Sequence, residues 1–598
     1  MLESAAGIAG SSPKAIVSAL EEGKVESVLS SASSSSSQQK IFNNLSPDAP
    51  QSRTFVIETE SKGFLATVLP DHIFPGPMLR TSYDMCDPIT LGILTYDEAK
   101  ACFDIFFQNC HQLAPLLCLH TQRNPSRVRN SSTLLFFTIC TIGARFWNAH
   151  NFPPSLSTPF ACQQDPRSIT WLHPRYTDLV TILDQNLTRL VQPSPADVTL
   201  ETVQALLLYV QWMPLDVLES SSSPGSDLYK SRSRYTNSNV WSVLGLAIRQ
   251  AIFIGLDKSM DAFNPLSEAK DEDIKRLRVW INLLYMDQHL ALTAKLPMTL
   301  DPVPTARIAR VFASHSNAQS TDLQLAGLCE LVAIVHRATG SCRNVPYTVL
   351  DDVSLQKVNA ELNEWQSIWS LTFCNSGFEH YSFQMPFTTL RWYHLALNFV
   401  ALGPTVTSNH SQFYTHPSSD LRTGIEAAIS MLYCFSANSD HPLSLLNTLQ
   451  LTGGLQPLSP LIANTIVSTS RYNPDTNWIT YAYAVVILAL SYDRNIIDDE
   501  FNIAPRSPLF HSCISRGLGP RKQSPLYQLL QLVVDVFDRT VPVAQYRDVV
   551  QNTFQALTQR GEENVSNSTE NDSTSNATTT GGIFAMIIRC GAWFKSSK

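Results

Sequence analysis

Apolar residues recur at helical spacing through most of the chain from Thr95 onwards. The segment Thr95-Tyr96-Asp97-Glu98 has the pattern of a capping box, in which a threonine and a glutamate satisfy the first free backbone amides of a helix. Apolar residues then follow three and four positions apart from Ala99 to Leu117, which places them on one face of a helix. The pattern predicts a helix that begins after Thr95 and runs towards Leu117.

Further runs with the same spacing follow, and patterns that alternate as in a strand are nearly absent. We therefore predict an all-α fold, a large and irregular multi-helix domain. The uncharged run 476–492 is shorter than the roughly 20 residues that span a bilayer, so we expect a buried helix there. The predicted helices are Leu134–Trp147, Tyr176–Leu190, Leu200–Trp212, Val240–Gly255, Asp271–Leu292, Leu323–Ala338, Leu355–Trp369, Leu390–Leu402, Leu421–Phe435, Trp478–Tyr492 and Tyr527–Phe537.

The two ends of the chain differ in composition from its middle. Residues 1–80 include a serine tract at positions 30–37, and residues 556–598 are rich in asparagine, serine and threonine. Such segments bury too little apolar surface to offset the entropy lost on ordering. We predict a mostly disordered arm over 1–80, a helical body over 81–555 and a disordered, solvated tail over 556–598.

Charge and cysteine usage exclude several classes of protein. A net charge of -8 gives the whole chain no electrostatic attraction to a phosphate backbone. The densest basic group, Lys230, Arg232 and Arg234, is interleaved with serines and is expected to be a solvated loop. None of the 12 cysteines forms a CxxC pair, which argues against a zinc ribbon and a secreted disulfide framework. The start lacks the pattern of a secretory leader, so we expect an intracellular protein.

Sequence motifs of common enzymes are missing, and the clusters that could bind metal are weak. Cys110, His111, Cys118 and His120 lie close in sequence, but a spacing of eight separates the two cysteines by about 80° around a helix. We expect buried cysteines and a histidine at a helix end, without metal.

Asp498-Asp499-Glu500 resembles the aspartate-rich magnesium motif of helical prenyl-chain enzymes. Asn502 stands where that motif has a further acid, and the other acidic cluster, 271–273, supplies no second half. We therefore expect a helix cap or a solvated turn, and the magnesium-dependent isoprenoid enzyme is kept as an alternative.

Five stretches in order resemble the regulatory "middle homology" domain of fungal zinc-cluster transcription factors. The first three are 87–117, 134–145 and 202–208. The fourth has the family's order of Trp, Gly, Ala, Arg, Ala and a terminal Gly-Leu, and the fifth is its basic-aromatic helix. Their residues are Trp241, Gly245, Ala247, Arg249, Ala251, Gly255 and Leu256, followed by Lys275, Arg276, Arg278, Trp280 and Asp287.

The resemblance extends over roughly residues 85–540, with three departures. The basic run, residues 275–280, reads Lys-Arg-Leu-Arg-Val-Trp. Asp257 stands where a histidine is usual, and Ala294-Lys295-Leu296-Pro297 replaces a Gly-Arg-Pro turn. The resemblance implies an all-helical regulatory domain. The residues that carry it and that we expect to be structural or regulatory are Trp241, Gly245, Arg249, Gly255, Arg276, Arg278, Trp280, Asp287 and Pro297.

The two specific motifs predict a pair of packed helices. Gly245 lacks bulk and would let another helix approach closely, whereas Gly255 would adopt the left-handed conformation that ends a helix. Arg276 would lie over Trp280, four residues along the same face. We also predict a buried ion pair between Arg249 and Asp287.

Members of the resembling family bind DNA through a binuclear zinc cluster with six cysteines, whereas no cysteine precedes Cys86 here. We expect no zinc cluster, and no other cofactor, in these residues. Three explanations stay open: a truncated gene model, a natural factor that reaches promoters through a partner, or a regulator that no longer binds DNA.

The resemblance implies a nuclear transcription regulator, and not an enzyme, that acts on genes of RNA polymerase II. Its partners would be the transcription machinery or a DNA-binding protein, a small-molecule effector is a further candidate, and no membrane partner is expected. Besides the isoprenoid enzyme, a scaffold that binds a partner helix in an apolar groove is an alternative.

Overall fold

The structure is a computed structural model that describes residues 87–148, 171–218, 230–263, 269–294, 296–340, 350, 352–377, 385–407, 419–435, 470–493, 496–503, 519–541 and 543–559. They belong to one unit of the chain, Met85–Lys598. The predicted arm, residues 1–80, and nearly all of the predicted tail, residues 556–598, lie outside the described residues.

The first half of the described chain holds eight α-helices and one β-hairpin. These elements are α1 Tyr96–Ile105, α2 Leu119–Gln122, α3 Pro125–Ser131, α4 Thr133–Arg145, α5 Tyr176–Arg189, α6 Leu200–Gln211, β1 Leu215–Leu218, β2 Lys230–Ser233, α7 Asn237–Phe253 and α8 Asp271–Ala294.

The second half of the described chain is helical. Its helices are α9 Val303–Ala313, α10 Ser320–Gly340, α11 Asp352–Asn375, α12 Met385–Thr407, α13 Ser419–Tyr433, α14 Asp475–Asp493, α15 Pro525–Thr540 and α16 Ala544–Thr558. The all-α prediction is confirmed, and every predicted helix overlaps an observed one; α2, α3, α9 and α16 were not predicted.

Helix α1 begins as predicted but ends earlier. Thr95 and Glu98 form the reciprocal capping box, in which the Thr95 hydroxyl accepts from the Glu98 amide. The predicted run to Leu117 continues only as a π-helical turn over 106–110 and a 3-10 turn over 111–113. Ala114 then turns extended, with φ -147° and ψ 80°, because the following Pro115 disfavours helical backbone in the residue before it.

The hairpin β1–β2 corrects the expectation of a loop around the basic residues. The two strands are antiparallel, and Asp216 lies opposite Arg232. Arg234 follows β2 and forms ion pairs with Asp184 and Asp216, and Arg232 is exposed. Strands of four residues are too short to show an alternating pattern, which is why the sequence did not reveal them.

The core is one hydrophobic cluster that runs through most of the described helices. Helix α4 packs on α1 and α6, α12 packs on α13, and α14 packs on α13 and α16. As predicted, α14 is buried along nearly its whole length. The last helix, α16, also contacts β2, so the end of the described chain returns to its first half.

A buried ion pair also joins the first and second halves of the described chain. One guanidinium nitrogen of Arg145 lies 2.7 Å from a carboxylate oxygen of Asp475, and another lies 2.7 Å from the Met213 carbonyl oxygen. The side chains of Arg145 and Asp475 are 2% and 0% exposed. The pair therefore fixes the end of α4 against the start of α14.

Among the described residues, no single helix has the length and apolarity needed to span a membrane. The bent pair Asn237–Phe253 and Leu256–Phe263, with an angle of 53° between its parts, passes that test by length and composition only.

Candidate functional site

The two motifs with the most specific resemblance form helices α7 and α8, which pack against each other as predicted. Thr236 caps the start of α7, where its hydroxyl accepts from the Asn239 amide. Ala247 and Ala251 lie on the buried face of α7. The 3-10 segment Leu256–Phe263 leads from α7 towards α8 and contacts both helices.

The end of α7 is fixed by a glycine and by an arginine of α8. Gly255 has φ +72°, the left-handed conformation predicted for it, which ends the helix. A guanidinium nitrogen of Arg276 donates to the Ile254 carbonyl oxygen at 2.6 Å and so satisfies a carbonyl that the helix leaves free. The expected stacking of Arg276 on Trp280 is wrong, because the guanidinium reaches back to α7 while Trp280 is buried, 4% exposed.

The buried ion pair of this region joins Arg278 to Asp322, near the start of α10. Two guanidinium nitrogens of Arg278 each lie 2.7 Å from one of the two carboxylate oxygens of Asp322. The side chains are 2% and 0% exposed. Asp322 also accepts from the Gln319 amide at 2.7 Å. The bidentate geometry fixes the relative orientation of α8 and α10.

The predicted ion pair between Arg249 and Asp287 is wrong. Arg249 is exposed and donates to the Gly245 carbonyl oxygen at 3.0 Å, four residues back on its own helix. Asp287 is buried and accepts from the amides of Thr299 and Leu300 at 2.7 and 2.8 Å. Burial raises the pKa of Asp287, and these hydrogen bonds act against that rise.

Asp287 thereby holds the segment after Pro297 against α8. Pro297 itself is exposed, and the chain turns back at Thr299 and Leu300 to reach the carboxylate. Leu296 and Pro297, which belong to the departure from the Gly-Arg-Pro turn, therefore directly precede residues that Asp287 holds against α8. No sequence signal connected Asp287 to amides 12 and 13 positions later.

Part of α7, the fourth stretch that resembles the family, lies on the surface. Trp241 is 50% exposed and Phe253 is 74% exposed. Together with Gly245 and Arg249 they occupy every fourth position of α7, so the four residues form one stripe along the helix. We call these four residues the α7 stripe. Trp241 and Phe253 therefore contribute little to the core.

Gly245 is not the site of a close helix crossing; Gly143 of α4 is. A methyl group at Gly143 would fall inside the backbone of Cys102 in α1, whereas one at Gly245 would meet only the flexible end of Arg249, at 3.0 Å. Gly143→Ala is therefore expected to lower the free energy of unfolding by about 1–3 kcal/mol through overpacking. Gly245→Ala is expected to raise it by about 0.5–1 kcal/mol, because alanine favours an exposed helix interior.

Urea unfolding of both variants tests this pair of opposite effects, with each alanine serving as the control for the other. Equal destabilisation by the two substitutions would contradict the assignment of the close helix crossing to Gly143.

Cys110 and His111 of the first metal-like cluster are buried in the core. Cys110 is fully buried, and the imidazole Nε2 of His111 lies 3.0 Å from the Leu117 carbonyl oxygen. No group of three or more side chains that could hold a metal occurs within the described residues.

Asp498, Asp499 and Glu500 form a turn, as expected. Asp498 accepts from the backbone amides of Glu500 and Asn502 at 2.9 and 2.8 Å. Asp499 and Glu500 both pair with Arg521, at 2.7 and 2.8 Å. The carboxylates that a magnesium site would use are thus paired with an arginine and with the amides of their own loop.

His111 makes the folded chain sensitive to acid. Burial lowers its pKa from 6.5 to about 4, although the hydrogen bond to Leu117 acts in the opposite direction. As the pH is lowered, the unfolded chain therefore takes up a proton on His111 at a higher pH than the folded chain does. The free energy of unfolding falls as the pH drops from 6.5 towards 4. Between about pH 7.5 and about pH 5 we expect His111 alone to remove about 2 kcal/mol of stability.

His111→Gln retains a donor for the Leu117 carbonyl but does not titrate in this range. The stability lost between the two pH values should thus be smaller in the variant than in the wild type when urea unfolding is compared. An identical pH dependence in both proteins would contradict the assignment.

Residues 103–303 match the family model described as "Fungal specific transcription factor domain". The matched segment runs from within α1 to the first residue of α9, about a third of the chain, and includes the α7–α8 pair. No curated protein and no solved structure matches the chain. Residues 103–303 are therefore similar to a fungal specific transcription factor domain.

Proposed function

We propose that the chain is a transcription regulator of the fungal zinc-cluster type that acts in the nucleus on genes of RNA polymerase II. The observation that carries the proposal is the family match over residues 103–303, which contains the whole α7–α8 pair. DNA binding is supplied either by a zinc cluster outside these 598 residues or by a partner protein. We assign no catalytic role, metal or cofactor to the chain itself.

The contacts of α8 support a regulatory role. Through Arg276, Arg278 and Asp287 this one helix holds the end of α7, the start of α10 and the loop before α9. A change in the position of α8 would therefore displace or release its contacts with all three neighbouring elements. Such a shared helix suits a domain whose output depends on its conformation.

A tethering experiment tests the proposal independently of how the chain finds DNA. The full chain is fused to an unrelated DNA-binding domain, and the transcript of a reporter gene with the matching site is measured in fungal cells. We expect the fusion to change the transcript level relative to the DNA-binding domain alone. A folded, nuclear fusion that leaves the transcript unchanged would contradict the proposal.

Substitutions in the α7 stripe test whether this surface contacts the transcription machinery without changing the stability of the fold. Trp241→Ser and Phe253→Ser change exposed side chains, so we expect a melting temperature close to that of the wild type. Leu371→Ser, at a residue 67% exposed on α11, is the matched control. If the stripe touches the transcription machinery, the first two variants reduce the reporter effect and Leu371→Ser does not.

A further inference from the structure

Aromatic side chains from three helices meet between α8 and α12. Tyr285 and His289 lie four residues apart on one face of α8, with ring centroids 5.9 Å apart. The His289 ring is also 5.9 Å from that of Trp392 on α12, and the Trp392 ring lies 5.4 Å from Tyr483 on α14. Tyr393, beside Trp392, completes a group that we call the α8–α12 aromatic cluster.

Contacts of Tyr285 place Tyr393 in this cluster. Tyr285 makes a side-chain hydrogen bond with Thr389, one helical turn before Trp392 and Tyr393 on α12. Burial and, after it, the neighbouring Tyr285 raise the pKa of Tyr393 well above its ordinary value. Tyr285 and His289 therefore both face the side of α12 that carries Thr389, Trp392 and Tyr393.

Four polar atoms of this cluster are buried without a hydrogen-bond partner. They are both ring nitrogens of His289, the indole nitrogen of Trp392 and the hydroxyl oxygen of Tyr393. The three residues are 3%, 3% and 0% exposed. Buried polar atoms in folded proteins nearly always have a partner, so four such atoms on two facing helices indicate a partner that the described residues do not supply.

Other buried histidines of the described chain differ from His289 in this respect. His111 has the Leu117 carbonyl as a partner, and the Nδ1 atom of His394 lies 3.1 Å from the side-chain oxygen of Asn359. His289 thus differs from these two buried histidines in having two unpaired ring nitrogens.

The backbones of α8 and α12 are not closely packed on each other, whereas α8 packs on α7 and α10, and α12 on α10 and α13. Large side chains lie between α8 and α12. Tyr483 is only partly buried and stands edge-on to Trp392, at an interplanar angle of 82°, so the cluster comes closest to the surface beside α14.

We propose that the α8–α12 aromatic cluster binds a small, uncharged, planar molecule that carries both a hydrogen-bond acceptor and a hydrogen-bond donor. The indole N–H of Trp392 requires an acceptor, whereas a neutral imidazole and a tyrosine hydroxyl each donate and accept. Aromatic rings form the walls, which suits a flat apolar body.

Charge at the site favours a neutral molecule. Burial lowers the pKa of His289 to about 4, so its ring is neutral at neutral pH. A charged ligand buried there would lack an ionised partner among the unpaired groups. The molecule's use as an effector rests on the proposed function, since α8 carries the contacts to α7 and α10; its binding does not.

The test uses the full chain and 4-hydroxybenzamide as a neutral, planar probe with a donor and an acceptor. Titration calorimetry is expected to show saturable binding. Trp392→Phe and Tyr393→Phe should each weaken binding by about fivefold or more, the effect of one lost hydrogen bond. Tyr393→Phe should not lower the melting temperature, because it removes only a hydroxyl that has no partner in the free protein. Trp392→Phe also makes a buried ring smaller and is expected to lower the melting temperature without unfolding the chain.

Matched controls lie outside the cluster. Trp241→Phe and Tyr96→Phe make the same chemical changes at exposed positions and should bind the probe like the wild type. Toluene, which lacks polar groups, should bind more weakly than 4-hydroxybenzamide.

Three results would overturn the proposal. The first is no saturable binding of 4-hydroxybenzamide, phenol or indole to the wild type. The second is equal affinity in the wild type and both cluster variants. The third is a crystal structure of the full chain in which ordered waters satisfy all four atoms and remain after soaking with the probe. Binding without any reporter effect of the tethered chain would leave this site intact and reject the proposed function instead.

Discussion

Asp322→Asn is expected to lower the free energy of unfolding by about 3–5 kcal/mol, because it leaves the Arg278 guanidinium charged and without its carboxylate in the core. Both side chains are almost fully buried, and their two hydrogen bonds are 2.7 Å long. Urea unfolding of the full chain provides the measurement.

Glu361→Gln is the matched control for this substitution. Glu361 pairs with Arg337 at 2.7 Å, but these side chains are 31% and 50% exposed. Exposed pairs contribute about 0–1 kcal/mol, so the same chemical change should have little effect there. Replacing Arg278 and Asp322 together with leucine should restore much of the loss, since no charge is then stranded. Equal effects of Asp322→Asn and Glu361→Gln would contradict the burial of the pair.

Asp475→Asn is expected to cost a similar amount, about 3–5 kcal/mol, and to loosen one region in particular. Its carboxylate holds Arg145, which lies 330 residues earlier in the sequence. Without it, the start of α14 loses its polar link to the end of α4. Amide hydrogen exchange should then become faster in α14 and in α16, which packs on α14.

Asp178→Asn serves as the control for Asp475→Asn. Asp178 pairs with Arg175, and both side chains are 51% exposed. Unchanged hydrogen exchange in α14 after Asp475→Asn would mean that apolar packing alone holds this helix in place.

These substitutions also help to interpret the reporter experiment. Asp322→Asn removes the ion pair that joins α8 to α10, whereas Trp241→Ser and Phe253→Ser change exposed side chains and leave the core intact. Loss of output in the first variant but not in the others would indicate that the conformation of α8, and not the α7 stripe, determines the output of the tethered chain.

Features that depend on neighbouring residues could be predicted from the sequence. The capping box of Thr95 and Glu98 and the left-handed Gly255 each involve a few consecutive positions, and both were found as expected. Helical periodicity likewise gave the fold class, because a helix shows its buried face in a repeat that any long segment contains. The packed α7–α8 pair followed from the resemblance to a known family.

Contacts between distant residues were decided by the tertiary structure. Arg278 pairs with Asp322 and not with any acid near it in sequence, and Asp287 binds the amides of Thr299 and Leu300. The polarity of a side chain shows that it needs a partner when buried, but not which of many partners the fold brings to it.

The two glycines Gly143 and Gly245 show the same division. Each lies within a helix, and the residue type alone suggested a close crossing at Gly245. Only the packing of α4 on α1 identifies Gly143 as the crossing, whereas a methyl group at Gly245 would meet only the side-chain end of Arg249. The sequence by itself thus determined which segments are helical and where several of them begin and end. The tertiary structure alone decided which faces meet, because the partner of a buried surface lies far away in the chain.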